Sequence, residues 1–286
     1  MATTRAQGAK TLGDVLRSAT GYLERKGVQS PRVDAEHLLA KALQFSRVEL
    51  YMEHDRPLTE AELAAARSLV ERRGRREPLA YILGEWGFRR LTLRTDARAL
   101  IPRPETEVVV ERCLALLAGL EAPEVLDVGT GSGAIALAIA DEHPGAHVTA
   151  FDSSPEALAL ARENVDASGV RERVRLVEHD LRSGFGPHRF DLDVSNPPYV
   201  EPDEVAALEP EVRDWEPRAA LAAPGATEAV ADAAREALRQ GGWLVLETAD
   251  GRAVAVAELL RRIGYERIRT TPDLAGRERV VEGQWP

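Results

Sequence analysis

Two periodicities divide this chain of 286 residues. Up to about residue 83, apolar positions recur at steps of three and four, the spacing of one helix face. Thr11 stands as N-cap to a helix over 11–27 that carries Leu12, Val15, Leu16, Ala19, Tyr22 and Leu23 and stops at Gly27. Ser30 and Pro31 open a second, whose face is Ala35, Leu38, Leu39, Ala42 and Leu43. A short third follows Ser46, and Thr59 with Glu62 forms a capping box for another that runs through Leu63, Ala66, Leu69 and Val70 to Gly74. The pattern predicts a helical domain over 1–83 with no catalytic cluster of its own, there to recognise a substrate or simply to pack. Between 84 and 101, Trp86, Phe88, Leu91, Leu93 and Leu100 lie among charges and predict a β-hairpin linker.

From residue 102 the rhythm changes. Pro102-Arg103-Pro104-Glu105-Thr106-Glu107 opens a helix through Val108, Val109, Cys113, Leu116 and Leu117; proline and acids suit a helix start on their own account. Strands are predicted at 124–128, 147–151, 173–178, 189–195, 243–248 and 265–270, with a last one near 278–283. Helices fill most intervals, at about 133–142, 154–167, 226–239 and 251–263. Alternating strands and helices mean an α/β domain over 102–286 built on a mainly parallel, doubly wound sheet.

Composition excludes several classes. Cys113 is the single cysteine and the six histidines are scattered along the chain, so neither a disulfide framework nor a metal site is expected. Residues 1–8 lack the apolar stretch of a signal peptide and no apolar run reaches membrane length, so a cytoplasmic protein with no membrane partner is expected. The net charge of −10 is uneven: residues 1–90 hold 16 Lys+Arg against 12 Asp+Glu, and the remainder 21 against 35. An acidic catalytic half is poorly matched to a phosphate backbone and better matched to a cationic small molecule. The run Arg72-Arg73-Gly74-Arg75-Arg76 invites a nucleic-acid reading, but at a helix end it reads first as a solvated terminus favoured by the dipole.

The chemistry is carried by strand ends. Val125-Leu126-Asp127-Val128-Gly129-Thr130-Gly131-Ser132-Gly133 is a strand, a glycine-rich turn and a helix start with G-x-G-x-G spacing, unlike the G-x-G-x-x-G of dinucleotide sites. Glycines let the backbone pass close to a ligand. The Asp127 carboxylate there repels phosphate and attracts an ammonium or sulfonium, which points to S-adenosyl-L-methionine. Asp152 ends the second strand, where an acid accepts from ribose hydroxyls, although an N-cap role before Pro155 competes for it. Asp180-Leu181 closes the third strand, where an acid and an apolar side chain suit an adenine.

One strand later comes Asn196-Pro197-Pro198-Tyr199, after the buried-looking run Phe190 to Ser195. Asn196 offers a side-chain carbonyl, two prolines remove backbone donors and fix φ, and Tyr199 brings an aromatic face. Two rigid acceptors can grip both hydrogens of an amide or amine N–H2 group and aim its nitrogen. Asn-Pro-Pro alone also reads as a plain turn; the ordered set of strand ends is what favours chemistry. Arg103, Glu105 and Thr106 are expected to line the cofactor or substrate mouth from the linker side.

Over nearly its whole length the chain resembles the peptide chain release factor glutamine N5-methyltransferases, the HemK/PrmC family. The matching residues are Glu77 to Gly84, Ile101 to Glu107, Asp127 to Gly133, Ser195 to Tyr199, Glu216-Pro217 and Asp273 to Val280. The Asn-Pro-Pro-Tyr motif is shared with nucleic-acid base methylases, whereas Pro102 to Glu107 and Leu274 to Val280 are far more specific to this family. The resemblance implies a five-helix N-terminal domain, a hairpin linker and a Rossmann-like seven-stranded methyltransferase sheet with its last strand antiparallel. It implies that Asn196 and Pro197 hold the side-chain amide of the glutamine in the Gly-Gly-Gln loop of class 1 release factors, with Tyr199 packed on it. N5-methylglutamine and S-adenosylhomocysteine would be the products, without a metal and without a stable nucleic-acid partner.

The chain departs from the family pattern at Asp193, where an aliphatic residue is usual, and at Arg89-Arg90, which replace an aromatic-glycine pair. Two rivals stand beside this reading. An exocyclic-amine methylase would use the same motif on a flipped nucleic-acid base. A non-enzymatic scaffold that binds release factors would keep the fold without the reaction.

Overall fold

A computed structural model describes residues 10–186 and 190–286. The expectation of no leader in residues 1–8 and the first residue of the strand placed at 189–195 both fall outside the described residues. The chain forms two compact units: Met1–Gly84 together with Pro210–Trp215, and Glu85–Glu209 together with Glu216–Pro286.

The first unit holds α1 (Leu12–Arg25), α2 (Pro31–Leu43), α3 (Arg47–Met52), α4 (Glu60–Gly74) and α5 (Leu79–Leu83). Reciprocal capping boxes start three of them, pairing Thr11 with Asp14, Ser46 with Glu49 and Thr59 with Glu62. Leu12, Leu16, Leu23, Leu38, Leu39 and Leu50 form one core. The arginine run is solvated only in part. Arg73 is buried, with Nε donating to Asp34 at 2.6 Å, and with Arg76 it grips Glu211 on the helical turn Pro210–Arg213. Arg72 pairs with Glu77. Of the run, Arg75 alone is fully described as exposed.

The second unit begins with a hairpin of β1 (Glu85–Phe88) and β2 (Leu91–Arg94), then α6 (Pro104–Leu117). At the hairpin turn Arg89 adopts φ 51°, a strained value for a side chain with a Cβ. Its guanidinium is held by Glu142 and its N–H donates to Glu107 at 3.0 Å, which anchors the departure noted above. There follow β3 (Glu124–Val128), α7 (Ala134–Glu142), β4 (His147–Asp152), α8 (Pro155–Ser168), β5 (Val174–Glu178), β6 (Phe190–Ser195), β7 (Leu238–Glu247), β8 (Glu266–Pro272) and β9 (Glu278–Gln284), with helices at Ala226–Ala237 and Ala253–Ile263 between later strands. The seven-stranded order is β5-β4-β3-β6-β7-β9-β8, parallel except that β9 runs against both neighbours.

Strand alternation gives each face of this sheet its own core. Val125, Val148, Leu192, Val194 and Val245 meet α6 and α7 on one face; Leu126, Val128, Leu244 and Leu246 meet the helices Ala226–Ala237 and Ala253–Ile263 on the other. Asp193 interrupts the second pattern. It lies in register between Leu126 and Leu244, is fully buried, and neither carboxyl oxygen finds a partner among the described residues. Burial pushes its carboxyl well above the usual range. From β3 the chain winds outward through β4 and β5, and from β6 the other way through β7. The reversal falls at the carboxyl ends of β3 and β6, the place where α/β sheets take their ligands.

Candidate active site at the strand switch point

The two motifs are neighbours because their strands are. Val128 pairs with Ser195, and the Ser195 hydroxyl donates to the Val128 carbonyl at 2.7 Å, so Gly129 and Asn196 leave the sheet side by side. Gly129, Gly131 and Gly133 all lie at positive φ, between 57° and 85°. A side chain is strained there whatever the space. Over Gly129 the space is open, and at Gly131 a Cβ would meet only Ala99 at 3.9 Å, so a ligand can approach the bare backbone.

Hydrogen bonds set this loop. Gly129 and Thr130 donate to the Phe151 carbonyl at 2.9 Å, and Gly131 donates to Asp152 Oδ2 at 2.8 Å. Thr130 Oγ1 and the Ala136 N–H both donate to Asp127 Oδ2, at 2.6 and 3.1 Å. Asp127 Oδ1 is buried and accepts nothing among the described residues. Burial raises this carboxyl to about 7. A buried acceptor without a donor beside an open glycine backbone fits the ammonium or sulfonium end of S-adenosylmethionine. Asp152 accepts from Gly131 and, at 2.9 Å, from Ser154, and a carboxylate has lone pairs left for hydroxyls. The cap of α8 is Ser154, which accepts from Ala157 at 3.1 Å, so Asp152 is not needed there.

The Asn196 amide donates through Nδ2 to Thr106 Oγ1 at 3.4 Å. Neither its Oδ1 nor the Pro197 carbonyl accepts a hydrogen bond among the described residues. Burial lifts the Tyr199 hydroxyl to about 12, and the Glu247 charge adds to that. Pro198 and Tyr199 help line a cavity of about 230 Å³ with Thr248 and Arg252.

Thr106 is buried and spans from Asn196 to Glu247, to which its hydroxyl donates at 2.6 Å. Arg103 turns to the buried Glu216, which also accepts from the Ile101 N–H. Glu105 sits half-exposed on the first turn of α6. Asp180 lies exposed two residues past the end of β5, and Leu181 packs against the second core.

Residues 14–84 match the PrmC N-terminal domain and residues 108–210 the methyltransferase small domain. A release factor glutamine methyltransferase from Geobacter sulfurreducens is 45% identical over 280 residues, covering 96% of each chain. The chain belongs to the release factor glutamine methyltransferases. A second member, from Chlorobaculum tepidum, is 47% identical over 84% of this chain and 86% of its own. A Thermus thermophilus 16S rRNA methyltransferase solved with AdoMet and guanosine shares the fold, with a TM-score of 0.53 at 19% identity over 71% of this chain and 50% of that one. The seven-stranded sheet with an antiparallel last strand is the one the resemblance implies.

Two residues of this family member escape a reading by motif, and a third shows only part of its role. Asn164 on α8 is buried, accepts from the Arg94 N–H and donates to the Ser132 carbonyl at 2.9 Å, tying the glycine loop to the hairpin. Glu216 was visible only as half of a Glu-Pro pair. Glu247 closes an apolar strand, and nothing in sequence joins it to Thr106, 141 positions away.

Proposed function

We propose that this chain transfers a methyl group from S-adenosylmethionine to the side-chain amide nitrogen of the glutamine in the Gly-Gly-Gln loop of class 1 release factors, leaving N5-methylglutamine and S-adenosylhomocysteine. The observation that carries it is the pair of unpaired acceptors, Asn196 Oδ1 and the Pro197 carbonyl, one and two residues beyond the strand that adjoins the glycine loop. Each accepts one hydrogen of the amide. A glutamine amide is a weak nucleophile because its lone pair is delocalised. Acceptors that hold its hydrogens favour a localised lone pair and offset the positive charge that grows on nitrogen during transfer. Holding the group in one place supplies much of the rest.

Asp127, the backbone of Gly129 to Gly133, Asp152, and Asp180 with Leu181 would hold S-adenosylmethionine, which when bound supplies an electrophilic methyl group on a sulfonium. Tyr199 packs on the flat amide, and Pro198 shapes the pocket wall. Residues 1–83 recognise the release factor, 84–101 link, and 102–286 carry the reaction.

Incubation of purified protein with a class 1 release factor and labelled cofactor, followed by mass spectrometry of the Gly-Gly-Gln peptide, tests this reading. A mass gain of one methyl on the glutamine is expected. Asn196→Ala is expected to lower kcat by about 100-fold or more, with cofactor affinity within about twofold in calorimetry. Equal losses of rate and affinity would contradict the assignment.

A further inference from the structure

Thr106 and Glu247 are buried polar residues that touch Asn196 in series and that no step above uses. Their protons have a definite order. Thr106 carries one hydroxyl hydrogen, and the ionised Glu247 carboxylate can only accept, so that hydrogen lies along the 2.6 Å contact to Glu247 Oε2. The Thr106 oxygen then faces Asn196 with a lone pair alone. The Asn196 atom opposite it must be a donor, which is Nδ2, and Oδ1 is left for the substrate. An Asn amide has two nearly isosteric ends, and the wrong one would present donors to the donors of the glutamine.

We propose that Glu247 and Thr106 are positioning residues that fix the Asn196 amide in its acceptor-out orientation, so that the ionisation of Glu247 governs methyl transfer. This rests on the function proposed above. With Glu247 protonated, its own hydrogen can be given to Thr106, whose hydroxyl is then free to turn toward Asn196. The amide flips, and the grip on the substrate N–H2 is lost. Burial sets Glu247 at about 7. The groups around it are Arg279, whose charge favours ionisation, Glu105, which opposes it, Arg103, which favours it weakly, and the neutral Tyr199 hydroxyl. Arg279 is fixed between Asp273 and the Thr248 carbonyl, at 3.3 and 3.4 Å.

The test is steady-state methylation of a purified class 1 release factor between pH 5.5 and 9, with cofactor affinity measured alongside by calorimetry. Wild type is expected to show a kcat that falls about tenfold per pH unit below the Glu247 midpoint. Glu247→Gln is expected to lose this acid limb and to run at a low, flat kcat. Thr106→Val is expected to lower kcat at least tenfold with cofactor affinity unchanged, which also reports that it folds, and Thr106→Ser is expected to restore the rate. Wild-type protein that leaves the release factor unlabelled overturns the function and this relay with it. Wild-type labelling with Thr106→Val at full rate, or with the acid limb kept in Glu247→Gln, overturns the relay alone.

Discussion

Asp127 shows how one side chain serves a fold and a ligand at once. Its Oδ2 ties the glycine loop to the start of α7, and its Oδ1 is held in reserve under the loop. Because burial places the carboxyl at about 7 in the free protein, a cation must recruit the ionised form from a mixed population. Cofactor affinity is therefore expected to fall as pH drops below 7, approaching tenfold per unit, in calorimetry on free protein. Asp127→Asn is expected to flatten that profile. Asp193 is the opposite case, a buried acid with no task in view. Its folded carboxyl titrates well above the ordinary 3.8, so folding loses stability as pH rises from about 4 through the folded value, where the unfolded chain gives up its proton and the folded one cannot. Asp193→Leu is expected to stabilise the protein by about 1–3 kcal/mol near neutral pH. Denaturant midpoints would show the gain shrinking toward pH 4; a variant less stable than wild type at pH 7 overturns this account.

At the level of elements, the glycine loop is held from both ends and also from the side. β3 and β4 fix its start through the Phe151 carbonyl, and Asn164 on α8 clamps its Ser132 carbonyl while meeting Arg94 of β2 with its other end. Asn164→Ala leaves buried donors and acceptors without partners, at a cost of about 2–3 kcal/mol. It is expected to weaken cofactor binding as well as stability, because the loop loses its lateral support; calorimetry of the cofactor on the folded variant checks this. An unchanged affinity would show that the loop is set by β3 and β4 alone. This clamp also marks the limit of reading by pattern. The strands and helices were legible because a two-sided buried sheet imposes runs such as Val125 to Val128 and Phe190 to Ser195. The capping box at Thr59 was legible because its two halves are three residues apart. Asn164 and Arg94 are 70 positions apart, and a lone Asn on a helix carries no local signal of a partner.

For the whole molecule, strand order explains why separate motifs make one site. Strand-end positions of Asp127, Asp152 and Asn196 could be read from hydrophobic runs, and the reversal between β3 and β6 then brings the glycine loop and Asn196 together. What the pattern missed was the use of polar residues as internal fasteners. The arginine run looked like a surface feature, yet Arg73 and Arg76 close on Glu211, because a carboxylate far along the chain is invisible to a local count. That finding ties up two arginines of the run that invited a nucleic-acid reading and leaves the acidic remainder, with 21 Lys+Arg against 35 Asp+Glu after residue 90. A base methylase relies on neutralising phosphates, and each neutralised phosphate makes binding steeply salt-dependent. A chain with this charge gains little from a phosphate backbone at any salt. A large excess of ribosomal RNA is therefore expected to leave the initial rate on a release factor within about twofold between 50 and 200 mM salt. Radiolabel from the cofactor is expected in the protein fraction; label in the RNA, or inhibition by RNA that salt relieves, would favour the base-methylase reading instead.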